Sequence, residues 1–343
     1  LFYRAHYLAG NTDVIEAISI ALRKRGLNPV AIYVSSLKSI EVQQVLANYC
    51  KSIDVLLNTT RFAITSLNTH SSGDTAGSDT APNFWQALNI PIMQLICSGS
   101  SRDYWQGNSQ GLTPRDIAMN VALPEVDGRI ITRAISFKTS QLEGGSDKHG
   151  LQTDVVRYVP EPDRIEFVCD LAARWVALKQ TPIAERKIAL IMANYPNRDG
   201  RMANGVGLDT PASCLMILRS LQRAGYTVID LPKTSDELMA QLAAGVTNDP
   251  EGYGLRPVQQ ALSQQAYQVF FETLSPDVQT GITQRWGTAE NEWKRFHASS
   301  SASIDLPIAG IQFGNIFVGI QPSRGYDIDP SLNYHAPDLE HAH

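Results

Sequence analysis

The chain has 343 residues, of which 43% are hydrophobic and 18% charged, with a formal net charge of -5; this length supports about two domains at roughly 100–200 residues each. The acidic balance and the lack of clustered Lys and Arg exclude an electrostatic footprint for nucleic acid or an anionic membrane, and no apolar run is long enough to span a bilayer. The four cysteines, Cys50, Cys97, Cys169 and Cys214, form no CxxC pair, so they read as reduced core thiols of a cytoplasmic protein rather than a disulfide framework or zinc ribbon.

Short apolar runs alternate with amphipathic stretches from the first residue, the pattern of a parallel sheet covered by helices. Strands are expected over Leu1–Leu8, Pro29–Ser35, Ile53–Asn58 and Pro91–Cys97. Thr12 is placed to cap a helix carrying Ile15, Ile18, Ala21 and Leu22 on one face and stopping at Gly26. Further helices are expected over Ser39–Cys50 and Phe84–Leu88, giving a doubly wound layer of Rossmann or flavodoxin type to about Pro124. Ser71–Pro82 is almost devoid of apolar residues and reads as a surface loop at the carboxyl end of the third strand. After a strand over Ile130–Phe137, the polar stretch Ser140–Thr153 separates a first α/β domain, residues 1–150, from a second, residues 151–343.

The second domain opens with a long helix over Pro162–Gln180. A strand over Lys187–Ala193, a helix over Thr210–Gly225, a strand over Thr227–Leu231 and a helix over Ser235–Ala244 follow. Helices over Val258–Leu274, Pro276–Trp286 and Thr288–His297 form an insertion, and Ile308–Gln321 closes as a strand or hairpin. The fold class is therefore α/β, with two doubly wound parallel-sheet substructures and additional helices. A strand that begins at residue 1 and a tail, residues 335–343, with no closing element lead us to expect a segment of a longer polypeptide.

The most distinctive stretch runs from Ala193 to Pro211, between a strand and a helix, with Asp209 or Thr210 as N-cap and Pro211 in the first turn. Its glycines, Gly200, Gly205 and Gly207, permit close backbone approach, Arg198 and Arg201 offer planar forks suited to carboxylates, and the helix N-terminus adds partial positive charge. An acid-rich ligand fits that chemistry. A plainer reading has the glycines satisfying turn geometry and the arginines pairing with Asp199 and Asp209. Gly205-Val206-Gly207 lacks the third glycine of GxGxxG, which excludes a dinucleotide loop, and no GxxxxGK[ST] occurs, which excludes a P-loop.

His335, His341 and His343 cluster with Asp338, a donor set able to handle a divalent transition metal, although no helical spacing holds them together. His6 is expected on the first strand beside Arg4 and Tyr7, where a histidine is ordinarily structural. His297 ends a helix, and His70 and His149 fall in polar stretches. Trp85, Tyr104, Trp105, Tyr195, Trp286, Trp293 and Tyr326 flank loops or helices and could face a flat macrocycle, though most such rings serve the core. No Ser/His/Asp nucleophile motif and no paired catalytic carboxylates stand out, so the catalytic residues are not identified.

Several blocks resemble the large, CobN-type subunit of the cobaltochelatase and magnesium chelatase family. They are Arg4-Ala5-His6-Tyr7-Leu8-Ala9-Gly10-Asn11-Thr12, Val34 to Lys38, Gly111 to Val121, Leu123 to Arg129, Ala193 through Pro211, and Gly325 to Pro330 followed by Tyr334-His335 and Pro337-Asp338-Leu339. Around Gly111–Val121 and Ala193–Pro211 the cobalt branch is the better match. The resemblance implies a tetrapyrrole-binding subunit that works with an AAA+ ATPase and an adaptor subunit, ATP being hydrolysed by those partners. It implies Co2+ as substrate metal and hydrogenobyrinic acid a,c-diamide as ring, with Mg2+ and protoporphyrin IX as the alternative. Within it, Asn194, Arg198, Asp199, Arg201, Asn204, Gly205, Gly207 and His6 are expected to bind the ring, and His335 and Asp338 the metal. Two rival readings are a scaffold or motor-docking module and a two-lobed nucleotide-sugar transferase or sensor.

Overall fold

The structure, a computed structural model, describes residues 1–64, 84–141, 155–194, 199–247, 249, 255–288 and 305–321. The expected elements at Ser71–Pro82 and Thr288–His297, along with His70, His149, Trp293, Tyr326 and the histidine tail, lie wholly or almost wholly outside those residues. The chain divides into two compact units, Leu1–Gln180 and Thr181–His343.

In the first unit, β3 (Leu56–Asn58), β4 (Ile92–Cys97), β5 (Ile130–Gln141) and β6 (Val155–Pro160) form a sheet in that order. β3, β4 and β5 run parallel and β6 returns antiparallel, with Lys138 opposite Tyr158. All six residues of β4 are buried, as a parallel strand covered on both faces requires. Met93, Leu95 and Cys97 pack with Val14, Ile18, Ala21 and Leu22 of α2 (Asp13–Lys24) and with Val168, Cys169 and Ala172 of α8 (Pro162–Gln180). The i, i+4, i+7, i+8 spacing on α2 gives that apolar stripe. Gly26 ends the turn at φ +74° with Leu27 N–H donating to Leu22 O, a C-terminal closure that needs the left-handed region. Ile92 packs on the other side with Leu46 and Cys50 of α3 (Ile40–Cys50) and with Trp85 of α4 (Phe84–Leu88). Ser39 Oγ caps α3 by accepting from Val42 N–H.

Several expectations need correction. The boundary near residue 150 falls instead after Gln180, because β6 pairs with β5 and α8 packs on α2 and β4. The strand over Leu1–Leu8 is reduced to β1 (Phe2–Tyr3), followed at once by α1 (Arg4–Leu8), so His6 lies on a helical turn. Among the described residues β1 has only β2 (Tyr33–Val34) as strand partner, over two positions, and with so little ladder the backbone bonds of residues 4–9 close locally, as in Ala9 N–H to Ala5 O. Pro29 lacks an N–H to donate, consistent with β2 beginning late. The leading backbone also joins β3, since Thr59 N–H donates to Leu1 O at 2.9 Å. Between Cys97 and Ile130 the sequence reading passed over α5 (Arg102–Gly107), α6 (Pro114–Ile117) and α7 (Leu123–Val126), the last two joined by a π-helical turn over Ala118–Ala122.

In the second unit, β7 (Ile188–Met192) pairs in parallel with β11 (Ile316–Ile320), which forms a hairpin with β10 (Gly310–Phe313). Their core is Met192, Phe313, Ile316 and Val318 with Leu218 of α9 (Thr210–Arg223) and Leu238 and Leu242 of α10 (Ser235–Ala244). Thr227–Leu231 is not a strand: Val228 is buried, but Asp230 sits at φ +55° and breaks the pleat. The helix expected over Val258–Leu274 is β8 (Gln260–Ser263), paired with β9 (Asp305–Ile308), and then α11 (Gln264–Glu272). Ser263 Oγ accepting from Ala266 N–H sets that late start. α12 (Pro276–Trp286) forms as expected.

Candidate functional site

The strand-to-helix crossover leaves β7 at Met192 and enters α9 at Thr210. Tyr195–Arg198, and with them the Arg198 fork, lie outside the described residues. Asn194 is buried, bridges Met202 across the loop, and has a side-chain oxygen with no partner among the described residues. Ala203 N–H donates to Ala193 O at 2.8 Å and Ala203 takes φ +59°, folding residues 199–203 back over the strand end.

Asp199 anchors this turn. Its carboxylate accepts from Arg256 Nη2 and, at 2.8 Å, from Thr247 Oγ1, which Arg256 Nη1 also reaches at 2.9 Å. The hydrogen bond from Arg256 holds the carboxyl below its ordinary value against a smaller opposing effect of burial. Arg201 forms no ion pair with either Asp199 or Asp209 among the described residues: Asp199 is taken by Arg256, and Asp209 caps α9 by accepting from Ala212 N–H. Arg201 and Asn204 are exposed, as are Leu208 and the fully exposed Val206. Gly207 needs its φ of +76°, and a Cβ at Gly205 would stand 2.7 Å from Thr210 Oγ1. The loop is thus braced from below by Asp199 and shows Arg201, Asn204, Val206 and Leu208 outward.

A second polar constellation stands at the carboxyl end of β3, between Gln94 of β4 and the residues that lead into β5, and from it the chain after β3 reaches the carboxyl end of β4, an edge where ligands bind in open α/β sheets. It rests on a buried pair, Arg129 Nη2 to Asp127 Oδ2 at 2.6 Å, both side chains 0% exposed. Arg129 also donates to Gln94 Oε1 at 3.0 Å, Thr60 O and Phe62 O, and stacks over the Trp85 ring. Asp127 accepts from Trp85 Nε1 and Ile64 N–H. Asn58 and Gln94 complete the network by bonding each other and Thr60. The result grips residues 60–64 after β3, including Phe62 at φ +68°, a strained value for a bulky residue that persists only where surroundings over-determine it.

Residue 61 is the product of that grip. Arg61 Nη2 donates to Cys97 O at 2.7 Å and to Tyr158 OH at 3.0 Å, while its backbone N–H donates to Tyr3 OH at 2.9 Å. The His6 ring meets Tyr158 edge-on at 5.3 Å and Tyr3 at 6.3 Å, and Lys138 Nζ lies 5.6 Å from the Tyr158 ring centre. Burial first, then Arg61 and Lys138, lower the His6 pKa below its ordinary 6.5, which favours neutral imidazole at pH 7. Burial pushes Tyr3 and Tyr158 upward, so both keep their protons. Beside this cluster, buried Asp116 accepts from Ser98 Oγ at 2.8 Å, Gly99 N–H at 2.9 Å and Asn120 Nδ2 at 3.3 Å, and Asn120 lies in the π-helical turn, a feature frequent at functional sites.

Of the expected ring-binding residues, Asn194, Asp199, Arg201, Asn204, Gly205 and Gly207 share the crossover, and His6 belongs to the first unit. His335 and Asp338 lie outside the described residues, among which no group of three His, Cys, Asp or Glu side chains is placed to hold a metal ion. Sequence reasoning missed Arg61, Lys138 and Tyr158. The available signal was the polar run Asn58-Thr59-Thr60-Arg61, set directly after an apolar strand.

Fold and site together define a mixed α/β chain with a polar, cation-bearing strand edge in its first unit. The chain belongs to the CobN/magnesium chelatase family, whose model matches residues 1–343. It is 42% identical, over its full length, to the aerobic cobaltochelatase subunit CobN of Pseudomonas aeruginosa, of which it covers 26%. It is 26% identical over 95% of its length to the chloroplastic magnesium-chelatase subunit ChlH of Oryza sativa subsp. indica, of which it covers 22%. The solved catalytic subunit of cobaltochelatase from Mycobacterium tuberculosis superposes with a TM-score of 0.74 at 32% identity, over 98% of this chain and 27% of that one. The chain therefore spans about a quarter of the length of these relatives.

Proposed function

We propose that this chain is part of the tetrapyrrole-binding subunit of an ATP-dependent metal chelatase, acting in the cytoplasm to insert Co2+ into hydrogenobyrinic acid a,c-diamide. The carrying observation is the contrast in identity over nearly the same span, 42% to a cobaltochelatase subunit against 26% to a magnesium-chelatase subunit. In this reading the first unit is doubly wound, β2 and β1 continuing through the Leu1 backbone into β3, and it sets a ligand edge as such sheets do.

Insertion needs loss of pyrrolic protons, exchange of metal-bound water and a ring held out of plane, tasks for a shaped slot, a base and a relay ligand. Arg198 and Arg201 meet acid groups of the ring, with Asn194, Asn204, Gly205 and Gly207 shaping the loop. Asp199 acts by holding that loop through Arg256 rather than by touching ring or metal. His335 and Asp338 handle the metal, and AAA+ ATPase and adaptor subunits hydrolyse ATP, in keeping with a sequence that contains no P-loop motif.

The exposed Val206 and Leu208 on the crossover favour a second reading, a docking surface for the motor subunits. Titrating the chain with a corrinoid and with a porphyrin while following their absorption separates the two. A spectral shift that weakens when Arg198 and Arg201 are both replaced by Ala supports ring binding. No shift with either ring, alongside capture of the ATPase subunits, supports docking.

A further inference from the structure

We infer that the carboxyl edge of the first unit holds an oxyanion site, in which Arg61, Lys138 and His6 receive a carboxylate against a wall formed by Tyr158 and Tyr3. The inference rests on the tetrapyrrole reading only in naming the ligand, an acidic side arm of the ring; the site itself rests on geometry.

Arg61, Lys138 and His6 come from three separate segments and converge on one ring, Tyr158. None makes an ion pair with a carboxylate among the described residues, whereas Arg25, Arg102 and Arg129 in the same unit each do. Among the described residues, the carboxylate electrostatically coupled to Tyr158 is Asp116, and it is buried and already engaged by Ser98, Gly99 and Asn120. Two cations and an imidazole on one half-buried wall, with no carboxylate paired to any of them among the described residues, repel one another, and a bound carboxylate relieves that repulsion. Arg61 commits one nitrogen to Cys97 O and Tyr158 OH, an arrangement that fixes the plane of the guanidinium and leaves the rest of its fork for an oxyanion. The buried network holding Phe62 at φ +68° fixes the backbone beside it, and strain of that kind concentrates at ligand clamps.

The test uses the 343-residue chain, a porphyrin bearing acid side arms, its fully amidated counterpart, citrate and inorganic phosphate, with His6 followed by NMR. The acid porphyrin and citrate should raise the His6 titration midpoint, because an anion favours imidazolium. Lys138→Gln and Arg61→Gln should each weaken the acid porphyrin about tenfold or more, the loss of one charge-assisted hydrogen bond, and leave the amidated ring unaffected. Lys138→Gln carries the test alone if Arg61→Gln fails to fold. Acid porphyrin bound equally by wild type and Lys138→Gln, with His6 unmoved, overturns the site while leaving the chelatase reading intact. Citrate moving His6 while neither porphyrin binds keeps the site and sinks the ring as its ligand. A response to phosphate but not to citrate overturns the carboxylate assignment.

Discussion

Replacing Arg129 by Met tests whether the buried network, rather than the sheet alone, holds the loop after β3. The substitution removes a guanidinium that is 0% exposed, and with it the ion pair to Asp127, also 0% exposed. It further strips donors from Thr60 O, Phe62 O and Gln94 Oε1. Breaking a buried pair by deleting one member costs about 3–5 kcal/mol, because the remaining charge stays desolvated. Against a domain stability of about 5–15 kcal/mol, that is a large fraction. For a unit of this size it lowers the melting temperature by roughly 6–20 °C, at about 2–4 °C per kcal/mol. Urea denaturation followed by tryptophan fluorescence and circular dichroism measures it, with Trp85 stacked on Arg129 as a local reporter. The double variant Asp127→Leu with Arg129→Met should lose less than Arg129→Met alone, since neither charge of the pair remains. A loss below about 1 kcal/mol for the single variant, or a double variant worse than it, refutes the reasoning.

Other outcomes follow from the same geometry. Asp199→Asn should cost only about 1 kcal/mol, because the pair with Arg256 is partly exposed. Since the folded carboxyl titrates below its ordinary 3.8, its contribution is full above that value and fades as pH falls through the lower folded value. The stability gap between wild type and variant should therefore close on acidification, as denaturant midpoints at several pH values would show. Gly207→Ala, at φ +76°, should destabilise by roughly 1 kcal/mol while Gly200→Ala, with open space around its Cβ, stays near neutral; thermal melts that fail to separate them contradict the loop geometry. All four cysteines are buried and free, and burial pushes the Cys169 thiol up to about 11. A thiol reagent at pH 8 should therefore label Cys169 only as fast as the chain opens, and rapid labelling in native buffer, read by mass spectrometry, contradicts that packing.

Much of the local structure is legible in the residues. The Ile18, Ala21 and Leu22 stripe, the helix start at Ser39 and the largely apolar Pro91–Cys97 run give helix and strand directly, because periodicity and capping act over a few residues, although Val14 and not the expected Ile15 completes the buried face. The family is equally legible, since long blocks such as Ala193–Pro211 survive as contiguous sequence. What the tertiary structure decided is which distant side chains meet. Leu1–Leu8 has strand-like composition, yet a partner two residues long lets its backbone close into a helix. Asp199 meets Arg256, from a distant part of the second unit. Arg61, Lys138, Tyr158 and His6 gather at one edge only because β5 turns back into β6 in a register that sets Lys138 opposite Tyr158. Register and crossover are settled by burying whole sheet faces, a balance summed over the unit, so no local pattern at those four positions could announce that they would share a wall.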